Sequence, residues 1–121
     1  MRRLSLLALC AACTGDADTV QVDLSPSLIS SLDGTTHVSA IVAAGYTPLE
    51  DEPVRITVSY TDRNGTAHPI DAVDTKTDAR GIAETTLTGL AWDGIGTVTV
   101  TTGNEVAASS TFTVLDRTPP K

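Results

Sequence analysis

Val54, Ile56, Val58 and Tyr60 alternate with Arg55, Thr57 and Ser59 in the stretch VRITVSY, and a period of two recurs along the chain. That period sends successive side chains to opposite faces, the pattern of a strand with one buried side and one wet side. Val20, Val22 and Leu24 alternate with Gln21 and Asp23 until Ser25 and Pro26 end the run. Val38, Ala40 and Val42 alternate in THVSAIVAA, Val98 and Val100 alternate with Thr97, Thr99 and Thr101, and Val106, Ala108, Ser110, Phe112 and Val114 share one face. In GIAETTLTGL the sets Ile82, Glu84, Thr86 and Ala83, Thr85, Leu87 compete for the buried side; a bulge or twist is one outcome, and periodicity alone does not settle the register. Outside the N-terminal segment no run has apolar residues at helical spacing. The expectation is an all-β fold, a single antiparallel β-sandwich of about seven strands.

Turn residues divide the strands. Asn64 and Gly65 in TDRNGTA tolerate positive φ and predict a hairpin or tight return. Pro69 opposes a central strand nearby, and HPIDAVDTKTDARG alternates only weakly. A length of 121 residues allows one domain and a short extra segment. The chain is 40% hydrophobic but only 3% aromatic, which suits a thin β-structure better than a helical bundle.

Fifteen acidic residues against eight basic ones give a formal charge of −7, and removing Arg2 and Arg3 with the first twelve residues makes the remainder more acidic still. Phosphate backbones are bound by clustered Lys and Arg, so nucleic acid is excluded as a partner. Solubility is the plain reading of the acidity.

The segment LALCAACTGD holds the only two cysteines, Cys10 and Cys13. They have the spacing of a redox or metal pair, but they end an apolar run that follows Arg2 and Arg3. A positive start, a nine-residue apolar stretch and small residues at its end describe a secretory signal, too short to span a bilayer, which takes about 20 residues. Leu9, Cys10, Ala11 and Ala12 before Cys13 resemble the lipobox of bacterial lipoproteins, with Cys10 where an aliphatic residue is usual. That resemblance implies cleavage after Ala12, lipid on Cys13 and anchoring to a membrane. Thr14, where an Asp would hold a lipoprotein in the inner membrane, implies the outer membrane of the bacterial envelope. The expected layout is a cleaved signal helix over 1–12, lipidated Cys13 and a tether over 13–18, the sandwich over 19–115 and a short disordered tail over 116–121.

The series THVSAIVAAGYTPLEDEPVRITVSY, TKTDARGIAETTLTGL, GTVTVTT and ASSTFTVLD resembles bacterial immunoglobulin-like domains of the invasin and intimin type. Pro53 and Val54 match the Pro-Val pair that opens a strand in that family, and Thr77, Asp78, Gly81 and Ala83 match its T-D-x-x-G-x-A turn. The resemblance covers about residues 19–115 and implies a structural or protein-interaction role, with an envelope or surface protein as partner. Members usually stand in tandem, whereas this chain holds one domain. The Cys, Trp, Cys framework of antibody domains is missing.

The chemistry-bearing residues are few. Asp71, Asp74 and Asp78 with Glu50, Asp51 and Glu52 have the charge for Ca²⁺ but not the alternating ligands of a calcium loop, and a solvated acidic face is the simpler reading. His37 and His68 lack ligand-spaced partners and are expected at exposed strand ends. No nucleophile-elbow motif or acid–base set is present, so no catalytic residue, metal or cofactor is expected. Trp92, in LAWDGIG, either caps an open end of the sandwich or anchors a sugar or a protein. Tyr46, in the other long loop, lies either near Trp92, where the two would form a binding site, or at the opposite end.

Overall fold

A computed structural model describes residues 17–115. The expected signal helix, the lipidated Cys13 and the tail over 116–121 lie outside the described residues. Nine strands form two sheets that face each other across one core, a sandwich-like all-β arrangement. The four-stranded sheet contains β1 (Thr19–Ser25), β3 (Thr36–Ala44), β4 (Thr47–Pro48) and β7 (Ile82–Leu87). The five-stranded sheet runs in the order β2 (Leu28–Ser30), β9 (Ala107–Leu115), β8 (Gly94–Thr102), β5 (Pro53–Asp62) and β6 (Val73–Lys76).

Two expectations need correction. The strands number nine rather than about seven, and the pairing is not wholly antiparallel, because β2 runs parallel to β9 with Leu28 beside Thr113. The cause is at Ser25 and Pro26, where the chain leaves β1 in one sheet and joins the other as β2. The register of GIAETTLTGL, open in the sequence, is regular and has no bulge. β7 pairs with β3 without interruption from Thr36–Leu87 to Ile41–Ile82, burying Ala83 and Leu87 and leaving Glu84 and Thr86 outside. Register follows the β3 partner: Val38 and Ala40 are fully buried, and pairing sets Thr85 and Ala83 opposite them on the core-facing side.

The alternating residues supply the core. Val38, Ala40 and Val42 of β3 face Ile56, Val98, Val100, Phe112 and Val114 from the opposite sheet. Phe112 lies across from Gly96, where a Cβ would come within 2.1 Å of its ring, so the glycine makes room for the largest fully buried side chain.

The register fixes two ends. At one, Thr19 pairs with Ala43, Val54 pairs with Thr102, and the Asn104 amide donates to the Ala17 carbonyl at 2.8 Å across the two sheets. Ala17, two residues before β1, is buried there. At the other end Asp62 pairs with Gly94, Gly94 with Val114, and Leu90 plugs the opening with its N–H on the Gly34 carbonyl. Tyr46 follows β3 at the first end and Trp92 precedes β8 at the second.

Candidate functional site

The end that carries Trp92 is built on the last residues of β5. Tyr60 is inward-facing by alternation and buried, with its ring 5.7 Å from that of Phe112. Its hydroxyl meets the loop before β8, accepting the Trp92 N–H at 2.9 Å and donating to the Trp92 carbonyl. Burial, and secondarily the charges of Asp62 and Asp93, raise the Tyr60 pKa against the opposing effect of the Trp92 backbone bond, so the phenol stays protonated and able to donate.

After Asp62 the chain makes the tight return expected from Asn64 and Gly65. The Asp62 carboxylate accepts the N–H groups of Asn64 and Thr66 at 2.9 and 3.0 Å, and Gly65 has φ +87°. The return lays Ala67 against Thr61 and puts the His68 N–H on the Tyr60 carbonyl. His68 Nε2 then lies 2.8 Å from Asp62 Oδ2. An ionised carboxylate only accepts, so Nε2 carries the proton and donates. This bond, followed by that from the Thr66 N–H, lowers the Asp62 pKa against desolvation, and the Asn64 N–H adds a lesser lowering.

The His68 imidazole stacks on the Trp92 indole with centroids 3.9 Å apart and planes 14° apart. Asp62, His68, Trp92 and Tyr60 thus form one closed group in which each side chain fixes the next. His68 is not the exposed strand-end residue expected from the sequence, since its side chain is only 17% exposed. His37 is, at 46%, beside Glu84 at 3.6 Å. Trp92 keeps 48% of its surface exposed, so it both caps this end and offers a free edge.

The outer face of the five-stranded sheet continues from there. Leu28, Thr113, Ile95 and Thr61 fall in one row across β2, β9, β8 and β5. Leu28 and Ile95 are about 60% exposed, and Leu115 lies one row away on the same face. Beside them a depression of about 470 Å³ is lined by Thr61, Asp62, Arg63, Asp93, Gly94, Ile95 and Thr113, with Arg63 and Asp93 paired at 3.0 Å.

Tyr46 does not belong to this site. It stands at the opposite end with its side chain fully exposed, so Trp92 and Tyr46 cannot line one pocket. The acidic residues are not gathered either. Asp74 pairs with Arg55 at 3.1 Å and Asp78 caps its own turn, accepting from Arg80 and Ile82 N–H groups at 2.8 and 3.0 Å. Among the described residues no group of three or more His, Cys, Asp or Glu is placed to hold a metal ion, and no helix is long and apolar enough to cross a membrane.

Sequence reasoning singled out Trp92 but missed Asp62, His68 and Tyr60 as its partners. The TDRNGTAH stretch held a usable signal, since an Asp ahead of Asn-Gly shapes the turn that returns His68 to Tyr60. No protein-family model matches the chain, and no curated protein matches it.

Proposed function

We propose that this chain is a lipid-anchored module of the bacterial envelope, non-catalytic, whose immunoglobulin-like domain has a structural or protein-interaction role. The strand order supports the immunoglobulin-like reading: β1, β3 and β7 oppose β2, β9, β8, β5 and β6, with the first strand of the fold divided between the sheets. The N-terminal lipobox-like sequence supports lipid on Cys13, and Thr14 supports the outer membrane.

The observation that carries the interaction role is the set of three exposed apolar side chains, Leu28, Ile95 and Leu115, on the outer face at the end of the sandwich that carries Trp92. They stand on three adjacent strands, with Thr113 between Leu28 and Ile95; exposed apolar residues are individually ordinary, and several on one face favour a contact surface. A partner protein would bury them around the half-exposed indole. A second reading, a small polar ligand such as a sugar, rests on the neighbouring depression and the free edge of Trp92 alone, now that Tyr46 is remote.

The test is cross-linking in intact envelopes followed by purification of the full chain. Ile95→Asp is expected to remove a partner captured by the parent chain while leaving the melting temperature unchanged. Capture that survives both Ile95→Asp and Trp92→Ala overturns the assignment of this surface. For the anchor, Cys13→Ser is expected to abolish labelling by a fatty-acid analogue and Cys10→Ser to leave it intact.

A further inference from the structure

Tyr46 is fully exposed and the fold does not need its side chain, yet the turn that presents it is tied to the place where the chain joins the sandwich. Gly45 and Tyr46 form the two-residue connection between Ala44 and Thr47, with Gly45 at φ +62° as a turn with glycine in its first central position requires. The Gly45 N–H points at the Asp18 carboxylate, 2.9 Å from each oxygen, and the Asp18 N–H donates to the Ala43 carbonyl at 3.0 Å. Asn104 holds Ala17 from the other sheet. Residues 17 and 18 are therefore fixed next to Tyr46.

We infer that Tyr46 is a contact with the membrane surface and that the domain stands with its Tyr46 end toward the bilayer and its Trp92 end away from it. The inference rests on the lipid anchor proposed at Cys13. Four residue steps separate Cys13 from Ala17, which span at most about 14 Å when extended. Strands of nine residues make the sandwich roughly 30 Å long, so the tether is shorter than the domain and keeps the Tyr46 end nearest the lipid. A phenol suits that boundary, because its ring is apolar and its hydroxyl remains hydrated at headgroup level.

The charges around it set the kind of surface. Asp18, Glu50, Asp51, Glu52, Asp78 and Glu105 lie in the loops of this end, against Arg80, which pairs with Asp78, and Lys76 at the end of β6. That balance is repelled by anionic headgroups and tolerates zwitterionic ones. Affinity comes from the lipid, and Tyr46 supplies orientation.

The experiment uses full-length lipidated protein in phosphatidylcholine vesicles whose acyl chains carry bromine near the headgroup. The parent chain has its one tryptophan at position 92, and the pair Tyr46→Trp with Trp92→Phe moves it to position 46. Emission from position 46 is expected to fall at least about twofold on reconstitution, with emission from Trp92 nearly unchanged. Adding anionic lipid is expected to reduce the quenching at position 46. Protein that floats with the vesicles but is quenched equally at both positions, or only at Trp92, overturns the orientation and leaves the anchor standing. Protein that does not float, or that floats equally well as Cys13→Ser, overturns the anchor and the orientation with it.

Discussion

The Tyr60 hydroxyl bridges the two backbone polar groups of Trp92, accepting its N–H and donating to its carbonyl. One side chain at the end of β5 therefore holds the loop that leads into β8, and the Trp92 indole is free to stack on His68 because its backbone is already satisfied.

Removing that hydroxyl isolates its contribution. Tyr60→Phe keeps the ring against Phe112 and leaves the Trp92 backbone groups without this partner, at a cost of about 1–3 kcal/mol. A domain of this size loses roughly 4–8 °C of melting temperature per kcal/mol. Thermal unfolding followed by Trp92 fluorescence reads both the loss and the loosening of the loop; an unchanged melting temperature would refute the bridge.

Acid should weaken the fold at two identified carboxylates. Asp62 is held below its ordinary pKa first by His68, and Asp78 first by the Ile82 N–H, with Arg80 adding to it. A carboxyl depressed in the folded state stabilises fully above its unfolded value, about 3.9, and that contribution disappears as pH falls from there through the folded value. Melting temperatures are expected to be level near neutrality and to drop below about pH 4. Asp62→Asn and Asp78→Asn should each make the drop shallower, and a parallel curve for both variants would show that other groups control it.

Alternation made the long strands readable because one face of each is buried: Val38, Ala40 and Val42, or Val98 and Val100, leave no choice of side. β2 and β4, with three and two residues, are too short to show a period, and β2 exists only because β9 offers it an edge. The weak segment containing β6 mattered more. Whether Val73–Lys76 crosses the sheet decides which end each later loop occupies, and therefore whether Tyr46 and Trp92 meet. Its burial pattern is faint because it is an edge strand with only Val73 packed against the core. The Trp92 site was half legible for a different reason: His68 lies 24 residues upstream of Trp92, and no local period links them.

The turn before β7 was legible from Asp78 and Gly81 in the sequence, and it yields a paired prediction. Gly81 has φ +75°, and a Cβ there would stand 2.7 Å from the Val42 carbonyl oxygen and 2.9 Å from Pro48 Cβ. Gly45 has φ +62° with nothing within 4 Å. Gly81→Ala should cost roughly 2–4 kcal/mol, conformational strain plus overpacking, and Gly45→Ala only the strain, about 1 kcal/mol. Chemical denaturation of the two variants side by side checks this, and equal losses would contradict the packing around Gly81.

Thr77 holds the loop between β4 and β5 to the start of that same turn. It is buried, its hydroxyl donates to the Leu49 carbonyl and accepts the Glu52 N–H at 2.9 Å, and its own N–H donates to the Glu52 carbonyl at 3.0 Å. Thr77→Val preserves shape and removes only the hydroxyl bonds, so it should cost about 1–3 kcal/mol. Thr77→Ser keeps the hydroxyl and loses one buried methyl, nearer 1 kcal/mol. The order parent, Ser, Val in denaturation midpoint is therefore expected; Val matching the parent would mean that packing and not the hydroxyl fixes this loop.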